Sequence, residues 1–176
     1  MSKQLYLIRG LPGSGKTTMA RKLVQMSLLG NFGVRNATMI AADDYFYSGI
    51  NKHTGEGGGF YSYDSSAIRY AHSKAQQRTI ERMEKEDELI AIHNTFVQNW
   101  ELQAYYDLAD RYDYQVTVIT MEGNYGSQHD VPQWAIQRMK DRWEPLDTDR
   151  IPNNGTMALP PSCEGQIPLT QNAKHS

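Results

Sequence analysis

The sequence predicts an α/β fold, one parallel sheet with helices on both faces. Three observations predict it. Short apolar segments alternate with stretches of helical periodicity, the pattern of parallel strands joined by crossover helices. A glycine-rich turn links the first apolar segment to the first helix. Two polar groups, Asp43-Asp44 and His93-Asn94-Thr95, follow later strands. In such sheets ligands bind at the carboxyl ends of the strands, so these three segments should gather at one edge.

The elements follow in order. Leu5 to Ile8 is a short apolar run, the look of a buried strand. A helix is expected from about Lys16 to Leu29, with Met19, Leu23 and Met26 at helical spacing and Gly30-Asn31 at its end. Ala37 to Ala42 reads as a second strand running into Asp43-Asp44. Ser48 to Tyr63, with Gly55 and Gly57-Gly58-Gly59, has no periodicity and reads as a mobile loop. A long helix from about Ser65 to Glu86 should bury Ile68, Ala71, Ala75 and Met83. Leu89 to Ile92 is a third strand. Trp100 to Tyr112 is a helix with Tyr105, Leu108, Ala109 and Tyr112 on one face, and Val116 to Met121 is a fourth strand. After the polar loop Gly123 to Asp130, a last helix starts near Pro132 and carries Ile136, Met139 and Trp143. The domain is expected to span residues 1–150. From Ile151 to Ser176 prolines, asparagines and glycines appear without period, and a poorly ordered tail is expected.

Composition narrows the class. A chain of 176 residues suffices for one domain with a single core. The net charge of -2 shows no overall basic excess, although a local basic groove can sit on a neutral protein. The single cysteine, Cys163, cannot form an internal disulfide. No apolar run is long enough to span a membrane, and Met1 to Gln4 is polar where a signal peptide would be apolar. A cytoplasmic protein with no membrane partner is the expectation.

Gly10-Leu11-Pro12-Gly13-Ser14-Gly15-Lys16-Thr17 fits the phosphate-loop pattern G-x-x-x-x-G-K-[ST] without a mismatch, between a strand and a helix. Successive backbone N–H groups there point into one concavity and hold phosphate oxygens. The helix N-terminus, with Thr18 in its first turn, adds partial positive charge. Lys16 is expected at the β- and γ-phosphates of ATP, and the Thr17 hydroxyl on Mg²⁺. Phosphate transfer to a hydroxyl also needs a group that accepts its proton. Asp43 and Asp44 stand where such a group is needed, and neighbouring residues there point to different sides. Asp43 is assigned the proton; the competing reading is that both carboxylates cap a helix beginning at Tyr45.

Leu7 to Thr18, Asp43-Asp44-Tyr45 and His93-Asn94-Thr95 together resemble the polynucleotide-kinase-like P-loop kinases. These include bacteriophage kinases of DNA or RNA 5′ ends and of hydroxymethylated pyrimidines in DNA. The resemblance covers about Lys3 to Pro145. It implies a general base at Asp43 and an acceptor side formed by Asp44, Tyr45, Asn94 and Arg78. In the family, lid arginines act on the transferring phosphoryl group; here Arg138 or Arg142, in the segment after the lid that is similar to the family's R-M-x-x-R pattern, is the expected substitute. The sequence departs from the family in three places. Phe46 stands where 5′-end kinases often carry an arginine, the aspartate expected near His93 is missing, and the lid Gly123 to Asp130 has no arginine. Magnesium is then left to Thr17, water and Asp43.

Three smaller signals each admit two readings. His93 is either a ligand at the strand end or a hydrogen-bonded, half-buried histidine. Tyr45, Phe46, Tyr47, Phe60, Tyr61 and Tyr63 either stack on a nucleobase or close their loop on itself. The charge run Arg78 to Glu88 is most simply a solvated helix face. Three functions follow: a kinase of nucleic-acid hydroxyls, with DNA ahead of RNA; a kinase of a free nucleoside, nucleotide or other small hydroxyl compound; and a nucleotide-dependent switch without an acceptor.

Overall fold

A computed structural model of the protein describes residues 2–30, 33–46, 65–126 and 131–152. In chain order these form β1 (Lys3–Gly10), α1 (Lys16–Leu29), β2 (Ala37–Ile40), α2 (Ile68–Glu84), β3 (Leu89–His93), α3 (Trp100–Tyr112), β4 (Tyr114–Met121) and α4 (Gln133–Asp141). Turns of 3-10 geometry occupy Ala42–Phe46, Ser65–Ala67 and Thr148–Arg150. The loop expected over Ser48 to Tyr63 and most of the expected tail lie outside the described residues.

The four strands are parallel, in the order β2-β3-β1-β4. β1 is central, with Leu5 level with Ile90 of β3 and Val116 of β4. Alternation along the strands divides the core into two layers. Ile8, Leu89 and Ala91 pack with Ala20 of α1 on one face. Leu5, Leu7, Ile90, Ile92 and Val116 pack with α2 and α3 on the other. Burial on both faces is why these strands are apolar throughout rather than alternating.

The helices differ in detail from expectation. α2 buries Ala71, Ala75, Thr79 and Met83, a stripe at four-residue spacing. Ile68, expected in that stripe, opens the helix and is 40% exposed. Met26 is 64% exposed, because burial along α1 fades after Val24. α3 ends at Asp113, whose left-handed backbone (φ 58°) turns the chain directly into β4. β4 therefore begins at Tyr114, two residues before the expected Val116. α4 buries no residue; Ile136 and Met139 are only half-covered. Ile151, at the start of the expected tail, is buried in the core.

The charge run on α2 is more than a solvated face. Asp87 is 1% exposed and takes Arg82 Nε and Nη2 at 2.6 and 2.8 Å, with the Thr38 hydroxyl at 2.6 Å. Its carbonyl accepts the Tyr114 hydroxyl. This network ties β2, α2 and β4 at the amino edge of the sheet, opposite the glycine turn.

Candidate active site

The carboxyl edge is assembled by short bonds between strand ends. Asn94 N–H donates to Ile8 carbonyl, and Gly10 N–H donates to Thr95 carbonyl, both at 3.2 Å. The end of β3 is thus fixed to the start of the phosphate loop. Gly10 has no room for a side chain: a Cβ there would lie 2.7 Å from the Met121 carbonyl and against Ser14 Oγ. Gly13 and Gly15 have φ of 79° and 95°, a backbone that favours glycine. Ser14 N–H closes the turn on Leu11 carbonyl at 3.1 Å, and Ser14 Oγ is buried with no hydrogen-bond partner among the described residues. Gly15 caps α1, whose first turn contains no acidic residue to offset its positive end. Leu11, Pro12 and Gly13 are half-buried, and Thr17 and Thr18 stand exposed at the start of α1.

Lys16 bends back over the loop, and its Nζ donates to Leu11 carbonyl at 2.9 Å. Burial lowers its pKa to about 8, while the negative charge of Asp43 pulls it back up. The ammonium and the Asp43 carboxylate are therefore electrostatic neighbours. Asp43 is exposed, and its neighbour Asp44 is half-buried.

The expected strand through Ala42 ends at Ile40, and both aspartates sit in the 3-10 turn Ala42–Phe46. The turn diverts their side chains. Asp44 Oδ2 accepts Ala41 N–H and Arg78 Nη1, both at 2.9 Å. Ala42 N–H donates to Asn94 Oδ1 at 2.8 Å. Asn94 is thus a strut between β3 and the Asp43 turn, with its side chain also beside the buried Tyr105 hydroxyl. Tyr45 is 40% exposed and meets Phe46 and Tyr70 edge to face, at 5.4 and 5.1 Å between centroids. Phe46 itself is buried in the core.

His93 is fully inside rather than half-buried, and its Nε2 has no partner among the described residues. Burial lowers its pKa to about 4; Asp44 opposes this, and the charges of Lys16 and Arg21 add to it. It is a neutral imidazole behind the loop. Arg138 and Arg142 are exposed on and just after α4, and Arg142 Nε donates to Arg138 carbonyl at 3.4 Å. The structure brings Lys16, Asp43, Asp44, Asn94 and Arg78 to one edge. It shows no contact from Arg138 or Arg142 to that edge among the described residues.

Two features escaped the sequence reading. Arg9, directly before the loop, is 0% exposed. Its Nη2 donates to the carbonyls of Val97 and Glu144, and its guanidinium lies 4.2 Å from the Trp143 ring centre. Glu144 in turn accepts Asn99 N–H and Nδ2, so the chain after α4 is strapped to the start of α3. A charged residue inside an apolar strand was the available signal. The second feature is Tyr125, whose N–H donates to Gly13 carbonyl at 2.8 Å. Its ring lies against Gly123, and a Cβ on Gly15 would meet it at 3.3 Å. Nothing in a polar loop announces such docking.

The family model described as AAA domain (AAA_33) matches residues 5–146. The chain belongs to this AAA domain family. The family is P-loop kinase-like, and its match covers the loop, the Asp43 turn and the strap. Human NEDD4-binding protein 2 is 38% identical over 112 residues, 64% of this chain and 5% of that protein. The chain thus spans only a small part of that relative's length. Among solved structures, Chaetomium thermophilum Kti12 in complex with ADP-AlF3 aligns with a TM-score of 0.53 at 15% identity, covering 80% of each chain. A chain of the Pnkp1/Rnl/Hen1 complex aligns with a TM-score of 0.47 at 17% identity, covering 78% of this chain and 38% of that one. The Kti12 likeness bears on fold alone, and the AAA domain here has a nucleotide-binding P-loop architecture. No helix among the described residues is long and apolar enough to cross a membrane.

Proposed function

We propose that this AAA domain binds ATP with Mg²⁺ and transfers the γ-phosphate to a hydroxyl of a nucleic acid, with DNA ahead of RNA. The acceptor is a 5′-hydroxyl end or the hydroxymethyl group of a modified pyrimidine such as 5-hydroxymethyluracil in phage DNA. The observation that carries this reading is the phosphate loop between β1 and α1, with Lys16 folded over it and within electrostatic reach of Asp43. A lysine that grips the transferred phosphate and a carboxylate that takes the acceptor's proton must stand on the same edge of the sheet.

The roles divide by chemistry. The N–H groups from Gly13 to Thr18 face phosphate oxygens, and Lys16 exchanges its Leu11 carbonyl for the β- and γ-phosphates. No cluster of three or more carboxylate, histidine or cysteine side chains exists among the described residues. That suits magnesium, which keeps waters and binds through substrate phosphates plus one or two protein groups. Thr17 and Asp43 would hold it, and it supplies charge neutralisation between the phosphates. Asp43 orients the acceptor hydroxyl and accepts its proton. Arg138 and Arg142 are assigned to the phosphoryl group.

Burial of Phe46 favours a second reading, a free nucleoside, nucleotide or other small hydroxyl compound as acceptor. With that side chain in the core, the turn offers no cation to a bound strand. A nucleotide-dependent switch is a third reading, favoured by the lid segment's lack of arginine and by Arg138 and Arg142 making no contact to the loop among the described residues. The test is transfer of labelled γ-phosphate to DNA and RNA with 5′-hydroxyls, duplexes with hydroxymethylpyrimidines, and free nucleosides. Nucleic acid is expected to take label, and Lys16→Ala to lower the rate at least about 100-fold. Labelling of a nucleoside alone selects the second reading. Phosphate release indifferent to every acceptor selects the third.

A further inference from the structure

Two backbone N–H groups lead into Asp43, and a side chain holds each of them. Ala42 N–H donates to Asn94 Oδ1 at 2.8 Å, and Ala41 N–H donates to Asp44 Oδ2 at 2.9 Å. We propose that Asn94 is a positioning residue: it sets the place of the Asp43 carboxylate against the phosphate loop and does not itself touch the acceptor. The proposal rests on the kinase reading above, with Asp43 as proton acceptor, and deepens it by naming what holds that group in place.

The turn needs such a hold. β2 ends at Ile40, where its pairing with β3 also ends, so no strand ladder reaches Ala41 to Asp44. Asp43 itself is exposed. Asn94, by contrast, is buried and tied on several sides. Its own N–H donates to Ile8 carbonyl at 3.2 Å, two residues before Gly10 opens the loop. The next carbonyl, that of Thr95, accepts Gly10 N–H at 3.2 Å. The Asn94 side chain lies beside the buried Tyr105 hydroxyl of α3, so its amide is held at both ends. One residue thus carries the geometry of β1 and the loop across to the turn that presents Asp43. The second hold has a different anchor. Asp44 Oδ2 also takes Arg78 Nη1 at 2.9 Å, which ties the turn to α2. The Asn94 bond ties it to the strand that feeds the loop, and Lys16 stands on that loop. An oxygen already spent on Ala42 N–H is poorly placed to receive an acceptor hydroxyl, but well placed to fix the residue after Ala42. A shift of about 1 Å in a reacting group can cost about 100-fold in rate, so such a spacer acts on catalysis without touching substrate.

The test is a double-mutant cycle on the rate. Single-turnover transfer of labelled γ-phosphate is measured for wild type, Asn94→Leu, Asp43→Asn and the double variant, beside ADP–Mg²⁺ affinity. The acceptor is a 5′-hydroxyl oligothymidylate, or thymidine where only the nucleoside takes label. Asn94→Leu is expected to lower the rate at saturating acceptor at least about tenfold, with the half-saturating acceptor concentration and ADP affinity within about threefold of wild type. Asn94→Asp, which keeps an oxygen for Ala42 N–H, is expected to recover most of that rate. With Asp43→Asn already present, Asn94→Leu should cost less than about twofold, because its effect passes through the carboxylate. Tyr105→Phe removes only the hydroxyl beside Asn94 and is expected to slow transfer about threefold with the same pattern; it decides the matter if Asn94→Leu does not fold. The positioning role is overturned if these variants transfer at the wild-type rate, if Asn94→Leu weakens acceptor binding instead of slowing transfer, or if its cost is the same without the Asp43 carboxylate. In each of those cases wild-type transfer leaves the kinase reading standing. Wild-type protein that labels no acceptor of the panel above sinks the kinase reading, and the positioning role falls with it.

Discussion

At the scale of single residues, the loop imposes an unusual demand on Lys16. Its ammonium is half-buried, with a carbonyl as its hydrogen-bond partner, and its pKa falls to about 8. Phosphate binding requires the charged form. Nucleotide affinity is therefore expected to hold below pH 8 and to fall by up to about tenfold per pH unit above it, with proton uptake on binding. Calorimetry in buffers of different ionisation enthalpy measures that uptake; its absence at pH 9 would contradict the assignment. His93 has the opposite linkage to acid. Its folded pKa lies below the unfolded value of 6.5, so the unfolded chain binds more protons between pH 6.5 and about 4. Stability should decline with acidification through that window, by at most about 1.4 kcal/mol per pH unit from this group. Denaturant melts from pH 7 to pH 5 should show the slope, and a His93→Gln protein a flatter one.

At the scale of elements, the two edges of the sheet separate stability from chemistry. Removing the Asp87 carboxylate leaves Arg82, Thr38 and the β2–α2 junction without their shared acceptor. Asp87→Asn is expected to destabilise the domain by roughly 3 kcal/mol, with ADP affinity unchanged, because the network sits opposite the phosphate loop. Urea denaturation and ADP titration of the same variant check both halves. The elements also show what sequence can reveal. β1, the loop and α1 were legible because strand burial, glycine backbone and phosphate chemistry all constrain the same residues. Ala41 and Ala42 were read as strand because they continue the small and apolar run from Met39, and periodicity cannot distinguish the end of a buried strand from the start of a buried turn. Asn94 was assigned to the acceptor, yet its oxygen is engaged by Ala42 N–H. That bond depends on tertiary placement, which spacing does not encode. The charges on α2 looked solvated for the same reason: Asp87 finds Arg82 locally but Thr38 only through the sheet.

At the scale of the whole molecule, the strand order brings β1 and β3 side by side and carries β2 to the edge. The phosphate loop, the β3 end and the Asp43 turn thereby meet from segments far apart in the chain. Arg9 extends the arrangement by fastening the chain after α4 to the strand that feeds the loop, so α4 and its arginines are tethered to the site at one end. The central claim is a division of labour: the loop and Lys16 hold the nucleotide, and Asp43 acts on the acceptor. Single-turnover transfer of labelled γ-phosphate by Asp43→Asn, measured beside its ATP affinity, tests that division most directly. ATP affinity is expected within about threefold of wild type and the transfer rate lower by about 10²- to 10⁴-fold. A variant that transfers at the wild-type rate, or one that fails only because it no longer binds ATP, would contradict the account.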